Sequence, residues 1–229
     1  MAVIKQLELS DYVLQKRMTS GHGGPRKGAG AKRVGRGQEP HRRRTRFQKL
    51  TPAHVTLRVV KGLSNLRQRS LVMEVRKAFA QGCERGDFRL VEYSIQHNHL
   101  HMIVEAESQD ALSRGMKSIA ARFALAVNRV FKRTGQVIAG RYHVQLLTSP
   151  TQVRNALRYV LLNIRKHFKQ RNGYAPPVKM DEASSGSQFD GWRVKTATQE
   201  EVGVAKAASW LLSKGWRRRG LIDLAAVPG

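Results

Sequence analysis

Polar and apolar residues alternate one by one from His54 to Val59, then regroup at helical spacing from Arg67 to Gly82. The first pattern predicts a strand with one buried face. The second predicts a helix that buries Leu71, Val72, Val75 and Phe79 and stops at the glycine. Phe88 to Ile95 and His99 to Ala106 read as two more strands. The tight turn Gln96-His97-Asn98 between them makes the pair antiparallel. From Gln109 to Arg133 a long helix is expected, with Leu112, Met116, Ile119, Phe123, Val127 and Val130 in one stripe. Arg114, Lys117, Arg122, Arg129 and Lys132 lie opposite that stripe. Tyr142 to Leu147 is a fourth strand. Ser149-Pro150-Thr151-Gln152 then combines a capping residue, a first-turn proline and a capping-box glutamine, and starts a helix running to about Phe168. Its buried stripe is Val153, Leu157, Val160, Leu161, Ile164 and Phe168. Asn155, Tyr159, Asn163 and Lys166 fall on the other face.

Strand, helix, strand, strand, helix, strand, helix predicts an α+β domain over residues 50–170. The expected form is a ferredoxin-like antiparallel sheet with helices packed on one face. The flanks differ in character. Residues 1–49 form a basic arm in which Glu39 is the only acid between Lys16 and Lys49. Its glycines and apolar-poor composition predict disorder in the free chain. Residues 171–191, with two prolines and Ser-Ser-Gly-Ser, read as a linker. Residues 192–229 read as a small tail, with a helix expected over Gln199 to Lys214 anchored by Trp210, Leu211 and Leu212.

Charge narrows the partner. A formal net charge of +26 over 229 residues points to a polyanion, nucleic acid before an anionic membrane. No apolar run reaches the roughly 18 residues of a membrane helix, and the N-terminus lacks the apolar core of a secretory signal. The single Cys83 excludes an intramolecular disulfide framework and a cysteine-rich zinc module. A cytoplasmic, nucleoid-associated protein is expected. Arg42, Arg43 and Arg44 in the arm are candidate DNA contacts. So are Arg114, Lys117, Arg122 and Arg129 on the long helix and Lys166 on the next, although a solvated basic face would look the same.

The chemistry concentrates at His99-Leu100-His101. Alternation along a strand projects both imidazoles from one face, while Leu100, Met102 and Val104 take the other. His97 is expected to leave that face at the turn. Two neutral imidazoles and an amide, Asn163, would hold a divalent cation without cancelling its charge and would leave coordination positions open. Such a cation polarises a phosphate oxygen. Tyr159, one helical turn from Asn163, is then placed as a nucleophile. Attack on a phosphodiester would store its energy as a phosphotyrosine and allow the strand to be joined elsewhere.

YSIQHNHLHMIVEA, GRYHVQLLTSP and VRNALRYVLLN, in this order, resemble the single-tyrosine HUH transposases of the insertion-sequence-200-like group, and most of all the REP-associated tyrosine transposases. The resemblance spans about residues 53 to 168. It implies a ferredoxin-like core acting on single-stranded DNA, often beside a hairpin, with magnesium or manganese and a 5′-phosphotyrosine intermediate. It also implies His99 and His101 as metal ligands, Tyr159 as nucleophile, and Asn163 where relatives place an amide, often glutamine. Relatives include homodimers. Two other classes stay open: a non-catalytic nucleic-acid-binding protein with an RNA-recognition-like ferredoxin fold, and a basic ribosomal-type protein. The first would display base-stacking aromatics on its central strands.

Overall fold

The alternating segments pair into one sheet. The computed structural model describes residues 46–194 and 201–228, all within one compact unit. Arg42, Arg43, Arg44 and the arm before residue 46 lie outside the described residues. The elements run β1 (Thr51–Arg58), α1 (Arg69–Ala80), β2 (Glu84–Arg85), β3 (Phe88–Ile95), β4 (His99–Ala106), α2 (Gln109–Val130), β5 (His143–Leu146), α3 (Pro150–Asn172) and α4 (Trp210–Ser213), followed by a 3₁₀ turn at Gly215–Arg219. The sheet order is β2-β3-β4-β1-β5, antiparallel throughout. The α+β class and the antiparallel sheet are as predicted.

Helix ends follow their local chemistry. Ser108 Oγ accepts from the Ala111 N–H at 3.1 Å and caps α2. Ser149 Oγ accepts from the Gln152 N–H at 3.3 Å, and Pro150 fills the first turn of α3. Gln152 reaches back to the Thr148 N–H at 2.8 Å, one residue earlier than a standard capping box. Gly173, at φ 79°, closes α3 in the left-handed conformation, its N–H bonding to the Lys169 carbonyl.

Two cores sandwich the sheet. On one face, Val55, Leu57, Tyr93, Leu100, Met102 and Val104 meet α1 through Leu71, Val75 and Phe79, and α2 through Leu112, Met116, Ile119 and Phe123. Gly115 lets α2 close on β3: a Cβ there would stand 2.1 Å from the Phe88 ring. On the other face, Val91 and Ile103 meet Val153, Leu157, Val160 and Leu161 of α3, with Leu212, Trp216 and Ile222 beyond. The expected single layer of helices is thus corrected to two helices below the sheet and α3 above it. The upper face offers few apolar residues, Val91 and Ile103 among them, too few for periodicity to announce a second core. The C-terminal aromatics complete it from outside the domain pattern.

The stretch expected as a linker is in part packed. Ala183, Ser184, Ser185 and Gly186 are buried. The Ala183 carbonyl accepts from the Ile95 N–H at 2.7 Å, and the Ser185 N–H donates to Tyr93 at 3.0 Å. Small side chains let this backbone run along the free edge of β3, and the Ser185 hydroxyl accepts from the Tyr93 N–H at 2.8 Å. Within the described part of the expected 199–214 helix only Trp210–Ser213 is helical. Trp210 is 49% exposed, and the buried anchor is Trp216. Glu105, fully buried on β4, holds this tail by accepting from the N–H groups of Ala208 at 2.7 Å and Ser209 at 2.8 Å.

Candidate active site

The upper face of the sheet carries His99 and His101 on β4, flanked by β1. Register sets Thr56 directly opposite His101 and Arg58 opposite His99. His54, two residues before Thr56 and on the same face of β1, also reaches His101. The Nε2 atoms of His99 and His101 face each other at 3.0 Å. The far nitrogens are each engaged: His99 Nδ1 with Asn98 Oδ1 at 2.8 Å, and His101 Nδ1 with Thr56 Oγ1 at 3.1 Å and His54 Nε2 at 3.2 Å. Each ring is therefore oriented from behind and directed Nε2-to-Nε2.

Burial keeps these imidazoles uncharged. It pushes His54 down to about 4, helped by nearby His143, and His99 to about 4, with Arg58 and His167 adding repulsion. His101 falls to about 3, from burial first and then from the positive forms of His99, His54 and His167 and from Arg58. Near neutral pH all three offer lone pairs rather than charge.

α3 brings its own side chains onto this face. The half-buried Tyr159 ring lies edge-on to His101, centroids 5.0 Å apart, and 5.7 Å from His54. Lys166 Nζ sits 5.5 Å from the same ring. Asn163, one turn beyond Tyr159, is wholly buried, and neither its Nδ2 nor its Oδ1 has a protein hydrogen-bond partner. The face of α3 expected to be polar is thus turned partly inward. Leaving a buried donor and acceptor unmatched costs about 1–3 kcal/mol each, which marks Asn163 as a residue awaiting a partner.

His99, His101, Tyr159 and Lys166 come together as expected, with Asn163 on the same helix. His97 is exposed. The basic face of α2 is not part of this site, because α2 packs on the opposite face of the sheet. There Arg114 pairs with Asp87 at 2.5 Å, Arg129 pairs with Glu74, and Arg122 reaches Gln81 at 3.5 Å, while Lys117 is exposed. His54 and Thr56 were missed as site residues. Their signal was the alternation of β1, which needs the β1–β4 register before it points at His101.

Among the described residues no group of three or more His, Cys, Asp or Glu side chains is arranged to hold a metal ion. A site here must draw on another donor type, and the unmatched amide of Asn163 supplies one. The 3.0 Å gap between the two Nε2 atoms also fits neighbouring donors on one cation, since bonds of about 2.1 Å at a right angle set donors roughly 3.0 Å apart.

The family model for IS200-like transposases matches residues 50–168, more than half of the chain and all of the elements that carry this cluster. The chain belongs to the IS200-like transposase family. It is an enzyme of the single-tyrosine HUH class, whose members move DNA and generally depend on a metal. Among solved structures, this transposase is similar to a REP-associated tyrosine transposase bound to a REP hairpin. Identity is 14% and the TM-score 0.42, covering 75% of this chain and 100% of that one. It is also similar to a chain from Deinococcus radiodurans R1 provisionally named a transposase, at 13% identity and TM-score 0.31, covering 58% and 98%. No curated protein matches the sequence. Among the described residues no helix is long and apolar enough to cross a membrane.

Proposed function

We propose that this transposase cleaves and rejoins single-stranded DNA at hairpin-forming repeats, with Tyr159 as nucleophile and with His99, His101 and Asn163 holding magnesium or manganese. One observation carries the proposal: the Tyr159 ring lies 5.0 Å from His101, whose Nε2 is paired with that of His99 at 3.0 Å. A bound cation would polarise a phosphate oxygen and offset the charge that develops on it. The Tyr159 hydroxyl attacks the phosphorus, the phosphorus–O3′ bond breaks, and the tyrosine proton ends on the departing 3′ oxygen. The DNA on the 3′ side remains joined through its 5′-phosphate to Tyr159, and a 3′-hydroxyl reverses the step. Lys166 contributes fixed positive charge beside the ring, and Arg58, facing His99 across the strands, extends it toward the DNA backbone. Arg42, Arg43 and Arg44 would add phosphate contacts from the arm, and a homodimer is compatible with this assignment. The base-binding alternative lacks its platform, since this face of β3 and β4 presents Glu92, Ser94, His99 and His101 rather than aromatics.

The test is covalent capture. Single-stranded hairpin DNA labelled on its 3′ side, incubated with the full chain and Mn²⁺, should give a denaturation-resistant protein–DNA adduct. Chelation and Tyr159→Phe should each abolish it. An adduct that persists with Tyr159→Phe would overturn the assignment of the nucleophile.

A further inference from the structure

We infer that Thr56 and His54 form a reversible hydrogen-bonding partner for His101, allowing its imidazole to exchange tautomers and free Nε2 for a cation, an inference that rests on the metal-site assignment above. The hydrogen-bond chain has one fixed end. Asn98 Oδ1 can only accept, so His99 carries its proton on Nδ1 and presents a lone pair at Nε2. That lone pair faces His101 Nε2 at 3.0 Å. With no cation between them, His101 must present an N–H there, because two facing lone pairs would repel. Its Nδ1 is then the acceptor, served by the Thr56 hydroxyl at 3.1 Å and His54 Nε2 at 3.2 Å.

For His99 and His101 to share a cation through Nε2, the His101 proton has to leave Nε2 and a proton has to arrive at Nδ1. The groups behind His101 must then change from donors to acceptors. Thr56 does so by rotating its hydroxyl, and His54 by carrying its own proton on Nδ1 instead of Nε2. A carboxylate in that place would hold His101 in one tautomer, and an ammonium would hold it in the other. A hydroxyl and a neutral imidazole serve both. The proton count on the rings is unchanged and no charge is created in a buried setting where His101 is 5% exposed. Thr56 and His54 are positioning residues, acting on the cation only through His101, as groups behind metal-bound histidines do.

Long-range ¹H–¹⁵N NMR of the labelled full chain at pH 7 reads which ring nitrogen holds the proton. His101 is expected to be protonated on Nε2 in the metal-free chain and on Nδ1 after titration with Zn²⁺, used as a diamagnetic probe. The double variant Thr56→Val/His54→Phe should lower Mn²⁺ affinity, read by electron paramagnetic resonance, about 10- to 100-fold, while Thr56→Ser keeps it. His101 protonated on Nδ1 in both states, or wild-type Mn²⁺ affinity in the double variant, would overturn the inference. The wild-type spectra need neither a substituted protein nor DNA. A chain that forms the DNA adduct without the tautomer change therefore refutes this inference alone, and a chain whose histidines ignore Zn²⁺ refutes the metal site with it.

Discussion

Asn163 is a stability liability if it waits for a ligand, and that liability is measurable. Its amide is wholly buried, with both Nδ2 and Oδ1 unmatched by protein. Each unmatched group costs about 1–3 kcal/mol. Asn163→Leu keeps the branching at Cγ, removes both polar atoms and adds apolar surface beside Val160 and Leu161 of the upper core. Allowing for imperfect fit, the metal-free variant should be more stable than wild type by about 2 kcal/mol, roughly 4–8 °C in Tm for a chain of this size. The same substitution should weaken Mn²⁺ binding at least tenfold, which is about 1.4 kcal/mol. Urea unfolding in chelator gives the first number and calorimetric titration the second. A variant that is less stable than wild type without metal, or that binds Mn²⁺ equally well, would refute the argument that Asn163 is an unsatisfied ligand.

Two further outcomes follow from buried carboxyls. Burial pushes Glu92 up to about 8 from an ordinary 4.5, a rise only partly opposed by the Ser185 hydroxyl. Between those values the native chain binds a proton that the unfolded chain lacks. The resulting stabilisation is complete below about 4.5 and is lost as pH rises through 8. Unfolding free energies measured from pH 7 to 9 should therefore decline, and Glu92→Gln should flatten that decline; equal slopes would contradict it. Glu105→Ala leaves the Ala208 and Ser209 N–H groups without their acceptor and should cost about 2–3 kcal/mol. Hydrogen exchange should accelerate first at residues 208–216, and uniform acceleration would count against a local tether.

Much of the lower layer was legible because one residue decides little there. Leu100, Met102 and Val104 against Leu112, Met116 and Ile119 repeat a period often enough to announce both element and face. The pair His99 and His101 was legible for the same reason, as the off-face positions of a strand whose other side is apolar. The upper layer was less so. Tyr159 and Asn163 share a side of α3, but that this side turns toward the sheet depends on Val91, Ile103 and the distant Trp216, which no local pattern links. His54 and Thr56 needed the pairing of β1 with β4, a contact across more than forty residues. Ser184 and Ser185 looked like linker because their role is to let backbone approach β3, and small side chains signal flexibility and close packing alike.

α3 is held from behind as well as from below. Arg154 donates to the carbonyls of Gly220 and Leu221, and Arg165 to those of Pro176, Pro177, Ala225 and Ala226, while Trp216 packs with the Leu157 and Leu161 side of the helix. The segment that identifies the family and the segment that folds are therefore different lengths of chain. A fragment ending near residue 170 would keep every signature residue yet expose a leucine-rich helix back to water and leave the Arg165 guanidinium without its carbonyls. In such a fragment the tyrosine would still be written in the sequence, but the wall that aims it would be gone.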